Sequence, residues 1–371
     1  MNLDRLLLSR FALNTLSLLP LLWNVTPLAA QTKSGAEIFS QACAACHGDD
    51  GRGRAESQVG FSTALPDFTD CDFASREQKA DWYAIAHEGG PVRGFNEMMP
   101  SFGDALSADE LSRVIDYIRS LCADPSWPRG ELNLPRALFT EKAYPEDEAV
   151  STTTVDTEGA NSLTLELTWE QRFGSRNMIE VAMPFQRADL GGAFRSSTGT
   201  GDLAVAVKHT LSHSLERGSI LSVGGELALP TGDEAKGFGS GTTVFEPYVA
   251  YGKLLPRDAF VQLNALVEIP ASDRLEDELG LRAAFGRTWT RGDYGRTWTP
   301  MLEVLAAREL TGGAETEIDV VPQFQVSLSR RQHILADAGF RIPAVNRGDR
   351  ETQFVFYVLW DWFDGGVLEG W

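Results

Sequence analysis

The run SLTLELTWEQ, residues 162–171, sets Leu163, Leu165, Leu167 and Trp169 against Thr164, Glu166, Thr168 and Glu170. Successive side chains of a strand point to opposite faces, so this period of two gives one apolar face and one polar face. The pattern returns along the chain. NMIEVAMPF (177–185) opposes Ile179, Val181, Met183 and Phe185 to Glu180, and FVQLNALVEI (260–269) opposes Val261, Leu263, Ala265, Val267 and Ile269 to Gln262, Asn264 and Glu268. EIDVVPQFQVSL and HILADAGFRI repeat it, with Asp319, Gln323, Gln325, Asp337 and Arg341 on the polar side. TQFVFYVLWDWF closes the series with Phe354, Phe356, Trp360 and Trp362 on one face. About twelve such segments of roughly ten residues fit between Ala149 and Phe363, the strand length a membrane barrel requires.

Alternation alone allows two folds: a soluble sandwich that buries the apolar face, or a barrel that turns it to lipid. The connectors decide between them. They are short at GSR, HSLERG, LPR, RGD and SRR, and longer or glycine-rich at ADLGGAFRSSTGTGD, TGDEAKGFGSGTT and ASDRLED. Tight turns at one end and long loops at the other mark an outer-membrane barrel, as do Trp and Tyr recurring near strand ends. An even strand count places both ends of the barrel on the periplasmic side. The expected fold is a small all-α domain followed by an antiparallel transmembrane β-barrel of about 12 strands. Leu165, Val181, Leu263, Phe324 and Phe356 are expected to face lipid. Glu166, Glu180, Glu226, Glu268 and Glu303 are expected to face the lumen, where they would fill and hydrate it or admit cations.

Upstream lies ADPSWPRGELNLPRALFTEKAYPEDE, with Pro125, Pro128, Pro135 and Pro145 and no periodicity. It reads as a Pro-rich connector over 124–148. Trp127, Leu134, Leu138 and Phe139 make it too apolar for a loose tether, so it should pack on the preceding domain or on the barrel mouth.

The preceding domain, 31–123, holds Cys43-Ala-Ala-Cys46-His47. In a Cys-x-x-Cys-His run each thiol can add across a haem vinyl group, and the adjacent imidazole becomes the proximal iron ligand. A bare Cys-x-x-Cys would also suit zinc or a redox pair. Residues 1–30 read as a signal peptide: Arg5 and Arg10, an apolar stretch, then TPLAA, with cleavage after Ala30. Export agrees with haem attachment. It also puts Cys71 and Cys122, the remaining even pair, in an oxidising compartment, where they are a disulfide candidate against the alternative of two buried thiols. Ser34 and Glu37 have capping-box spacing, as do Ser107 and Glu110, and Leu111, Val114, Ile115, Ile118 and Leu121 form one apolar helical face.

Residues 34–122 thus resemble the monohaem class I cytochrome c fold. That resemblance implies one covalent haem c and a distal methionine from the loop before the last helix. In NEMMPSFGDALS the family's Met-Pro pair falls on Met99-Pro100, with Met98 and His87 as rival ligands. The cofactor-binding set is therefore Cys43 and Cys46 (covalent), His47 (proximal) and Met99 (distal). With both axial positions filled, an enzyme is the least favoured reading. The barrel segment is similar to the outer-membrane family named for the meta pathway of phenol degradation, through Gly201-Asp202, Lys208 and the run Leu229-Pro230-Thr231-Gly232-Asp233.

Together the two parts resemble outer-membrane cytochrome–porin fusions. That architecture implies electron transfer between the periplasm and the cell exterior, with periplasmic electron-transfer proteins and an extracellular or small-molecule redox partner, and with the barrel seated in outer-membrane lipid and the haem domain in the periplasm. Some such fusions oxidise ferrous iron. This barrel is shorter and no surface-iron motif is found, so that substrate does not carry over. A channel for small or hydrophobic substrates with a haem redox gate is the alternative. The net charge of −19 excludes a phosphate-seeking nucleic-acid binder.

Overall fold

The computed structural model describes residues 32–60, 65–157, 162–189, 196–348, 350–362 and 366–368. The leader over 1–30 lies outside the described residues.

Six helices build the N-terminal domain: α1 Gly35–Ala42, α2 Ala44–His47, α3 Glu56–Val59, α4 Cys71–Ala74, α5 Lys79–Glu88 and α6 Ala108–Ser120. Both capping boxes form. The Ser34 amide donates to Glu37 at 2.7 Å, and the Ser107 amide donates to Glu110 at 3.0 Å. Helix α1 delivers Ile38 and Phe39 inward, and α6 delivers Leu111, Val114, Ile115 and Ile118. These meet Phe68 and Trp82 in one core. Helices α1 and α6 cross closely because Gly35 has no side chain: a Cβ there would lie 2.2 Å from the Arg113 carbonyl oxygen. A disulfide joins Cys71, at the start of α4, to Cys122, just beyond α6.

The rest of the chain is one sheet closed on itself. Its strands are β1 Glu148–Asp156, β2 Leu163–Phe173, β3 Asn177–Asp189, β4 Ser196–Thr200 continued as Leu203–Ser214, β5 Ser219–Leu229 and β6 Val244–Leu255. They continue as β7 Ala259–Pro270, β8 Glu278–Arg287 with Trp289–Thr290, β9 Thr297–Glu309, β10 Glu317–Ser327, β11 Ile334–Val345 and β12 Gln353–Asp361. Each pairs antiparallel with its sequence neighbours, and β1 pairs with β12 from Glu148↔Asp361 to Asp156↔Gln353. Twelve strands therefore close without an edge. Part of the loop expected at 188–202 is strand instead: Ser196–Thr200 pairs with β3 and lengthens that hairpin beyond its Gly201-Asp202 interruption.

The pleat sorts side chains as the alternation requires. Leu167, Val207, Leu281, Phe285 and Phe324 stand exposed on the outside, while Thr168, Gln262, Asn264, Glu303 and Gln325 are buried inside. An apolar exterior around a polar interior is the inverse of a soluble core and matches a lipid-facing barrel. No helix among the described residues is long and apolar enough to cross a membrane.

Candidate haem site and the filled barrel

The backbone of Cys43 turns at φ −114°, which ends α1 and starts the single turn of α2 that carries Cys46 and His47. Neither Cys43 nor Cys46 is in a disulfide. Burial and then the neighbouring Cys46 push the Cys43 thiol up to about 11. The His47 ring stacks on Phe68 with centroids 4.8 Å apart. Burial lowers its pKa to about 4, so the imidazole is neutral at pH 7, the form that ligates a metal. Its Nδ1 is buried with no hydrogen-bond partner, an expensive state for a polar atom unless something else occupies it. Two thiols and an unsatisfied neutral imidazole on one turn fit a haem.

Met99 is half-buried, and its carbonyl accepts from the Gly90 amide at 3.0 Å. Met98 is 53% exposed. His87 is engaged elsewhere: its Nδ1 lies 2.8 Å from Glu88, and its ring packs between Tyr83 and Tyr294 of the β8–β9 turn.

That last contact belongs to a seam between the helical domain and the barrel. Arg93 is buried there, donating 2.8 Å to Asp81 and 2.6 Å to the Tyr294 carbonyl. Burial raises the Asp81 pKa, with Arg93 acting against it. Arg331 of the β10–β11 turn lies 4.3 Å over the Phe95 ring. Arg76 pairs with Asp147, and the Gly130 amide donates 2.7 Å to the Ser75 carbonyl. The helical domain therefore sits at the barrel end that bears the short turns.

The segment read as a connector is folded inside the barrel. Its backbone groups are met by lumen side chains from distant strands. Glu303 on β9 accepts from the amides of Leu138 at 2.9 Å, Phe139 at 3.2 Å and Thr140 at 2.7 Å, and from the Thr140 hydroxyl at 2.6 Å. Gln262 donates to the Pro135 carbonyl at 2.8 Å, and Tyr357 to the Arg136 carbonyl at 2.7 Å. Lys208 donates to the Lys142 carbonyl at 2.9 Å and pairs with Glu141. Arg136 bridges Glu148 and Glu170. Apolar contacts complete the filling: Leu134 and Ala137 pack on Phe260, Ala284 and Met301, while Leu132 and Tyr144 pack on Ile220, Tyr248 and Leu266. Of the inward glutamates named from the sequence, Glu303 is thus a plug anchor. Glu268 lines a cavity of about 180 Å³ beyond Phe139, with Glu278, Arg282 and Asp319.

A helical haem-type domain seated on a closed, filled, twelve-stranded barrel defines the class. The chain consists of a cytochrome c domain and a phenol-degradation-type outer-membrane barrel domain. Residues 30–118 match the family described as cytochrome c oxidase, cbb3-type, subunit III. Residues 144–313 match the family described as putative metA-pathway of phenol degradation. The first domain is similar to the cbb3-type cytochrome c oxidase subunit FixP of Sinorhizobium medicae, 31% identical over 101 residues, which are 26% of this chain and 32% of that protein. It is also similar to chloroplastic cytochrome c6 of Chlamydomonas reinhardtii, 29% identical over 100 residues, 27% of this chain and 60% of that one. The chain thus spans about a third of the first relative and under two thirds of the second. Among solved structures, an outer-membrane channel from Pseudomonas putida F1 superposes with a TM-score of 0.41 at 15% identity, over 61% of this chain and 99% of that one. A cytochrome c domain implies haem as its cofactor.

Proposed function

We propose that the protein is an electron carrier of the outer membrane. It holds one covalent haem c through Cys43 and Cys46, with His47 and Met99 as axial ligands, and passes electrons between the periplasm and the cell exterior. When bound, haem supplies one-electron exchange at iron. The chain's own residues do the rest. His47 offers a neutral imidazole, Phe68 and the α1–α6 core keep water from it, and the seam through Arg93, Arg76 and Gly130 fixes the domain on the barrel. The observation that carries this reading is the filled lumen directly behind a cytochrome c domain. A barrel stoppered by its own chain serves better as an insulated sleeve than as a solute path.

The outer membrane's apolar band is about 25 Å tall, more than one haem at one mouth bridges. A partner on the far side therefore enters the opposite mouth and approaches the plug. The haem domain lies on the periplasmic side in this reading, since the barrel's termini and short turns share its end. The test is reconstitution in proteoliposomes with an impermeant reductant on one side and an oxidant on the other. Haem reduction across the membrane supports the proposal, and reduction only from the haem side overturns its transmembrane part. A redox-gated channel is the second reading, favoured by the charged cavity beyond Phe139. It requires conductance in planar bilayers that changes with haem oxidation state.

A further inference from the structure

We infer that the turns β8–β9 and β10–β11, together with the 90–95 loop, form a docking face for an acidic redox protein. This inference rests on the electron-carrier reading and names its partner surface. The chain is strongly acidic overall, at −19. Yet these two neighbouring turns carry Arg291, Arg296 and Arg330, all exposed, with Asp293 as the acid between the first two. Some exposed arginines elsewhere are paired, as in Arg52–Asp50 and Arg274–Glu234. Among the described residues, none of these three makes an ion pair. Arg296 and Arg330 border a cleft of about 320 Å³ floored by Pro91, Val92 and Tyr294.

The cleft lies against the loop that leads to Met99. Gly90 donates its amide to the Met99 carbonyl at 3.0 Å, Phe95 donates to Gly90 at 3.0 Å, and Arg93 and Arg331 pin the loop to the two turns. The cationic patch is therefore fixed beside the haem pocket, its arginines supplied by the barrel turns and part of the cleft floor by the cytochrome domain. An acidic partner is repelled by the rest of the surface and attracted here, so long-range charge both speeds and orients its encounter. A basic partner has the opposite experience and would be drawn away from this face.

The two hypotheses of net charge and local patch predict opposite salt effects, which makes the test direct. The full-length protein in detergent is titrated with two monohaem cytochromes of similar size, one acidic and one basic, and binding is read by thermophoresis. The acidic probe should bind, and its binding should weaken as salt screens the patch. Replacing Arg291, Arg296 and Arg330 together by Glu should lower its affinity at low salt by about tenfold or more. The Arg→Lys triple variant should retain most of it, and unaltered heat-modifiable migration reports that both variants fold.

Acidic-probe binding that strengthens with salt, or that survives charge reversal, overturns the docking face. So does a result in which reversal abolishes binding to phosphatidylglycerol vesicles but spares the acidic probe, since the patch is then a lipid-headgroup seat. Haem content and reduction by a neutral hydroquinone are measured in parallel. A protein that binds the acidic probe but has no reducible haem overturns the electron-carrier reading and leaves the docking face standing.

Discussion

Glu303 has the lumen's most consequential side chain. It is fully buried, and both carboxylate oxygens accept from consecutive amides of a segment more than 160 positions away. Charge-assisted bonds of this kind are stronger than neutral ones. Glu303→Gln keeps the shape but turns an NH₂ group toward amides that need an acceptor. The expected cost is about 1.5–3 kcal/mol, read as a lower temperature for loss of heat-modifiable migration. A variant as heat-resistant as the parent would show that this anchor does little. At the haem, the two adjacent methionines are separated by environment, since Met98 is exposed and Met99 half-buried. Met99→Ala should remove the sulfur-to-iron charge-transfer band of the oxidised protein and lower its potential, and Met98→Ala should do neither. The reverse result would reassign the ligand.

At the scale of elements, the strands were legible and the plug was not, for a physical reason. A strand announces itself because its two faces meet different media, as with Leu167 outside and Thr168 inside. Residues 130–148 meet lumen wall in several directions, so no period develops. Four prolines in the connector remove amide donors, and the bonds that fix the rest come from Gln262, Glu303, Gln325 and Tyr357, far along the sequence. Only the apolar content of Leu134, Leu138 and Phe139 hinted at packing. The haem motif was local and therefore readable, whereas the Arg93–Tyr294 seam joins residues 201 apart and carried no signal. Replacing 133–143 with a Gly/Ser segment of equal length should remove the filling while leaving the strands. Planar bilayers should then show steady conductance that the parent lacks, and equal conductance in the two would mean that the plug does not seal. On the outer face, Leu263→Arg should cost roughly 2–4 kcal/mol near the midplane. Glu268→Gln, further along the same strand and lining the lumen cavity, should be far milder, because it keeps the shape and a polar end in a polar space.

For the whole molecule, the filled barrel changes where the chain can be cut. A floppy connector would be open to protease throughout 124–148. In this fold the exposed backbone ends early: Ala123, Asp124 and Pro125 are exposed, Pro128 is buried, and from Gly130 the chain is bonded first to Ser75 and then to the lumen wall. Proteolysis requires an extended segment free of such bonds, so cleavage by a broad-specificity protease should be confined to about Ala123–Ser126. The product should be two pieces that stay together, because Arg93–Tyr294, Arg119–Glu131 and Arg76–Asp147 cross the cut without covalent help. High salt should weaken these contacts only modestly, as they are largely buried. Release of the haem piece should therefore need heat or denaturant, and should coincide with loss of the heat-modifiable barrel band. The native protein should also require detergent to remain in solution, since Leu167, Val207, Phe285 and Phe324 have only lipid to face. Cleavage within 133–145 of the folded protein, or ready release of the haem piece after the first cut, would show that the connector is a tether. The barrel would then be an open sleeve, and the case for electron transfer through a stoppered one would lose its support.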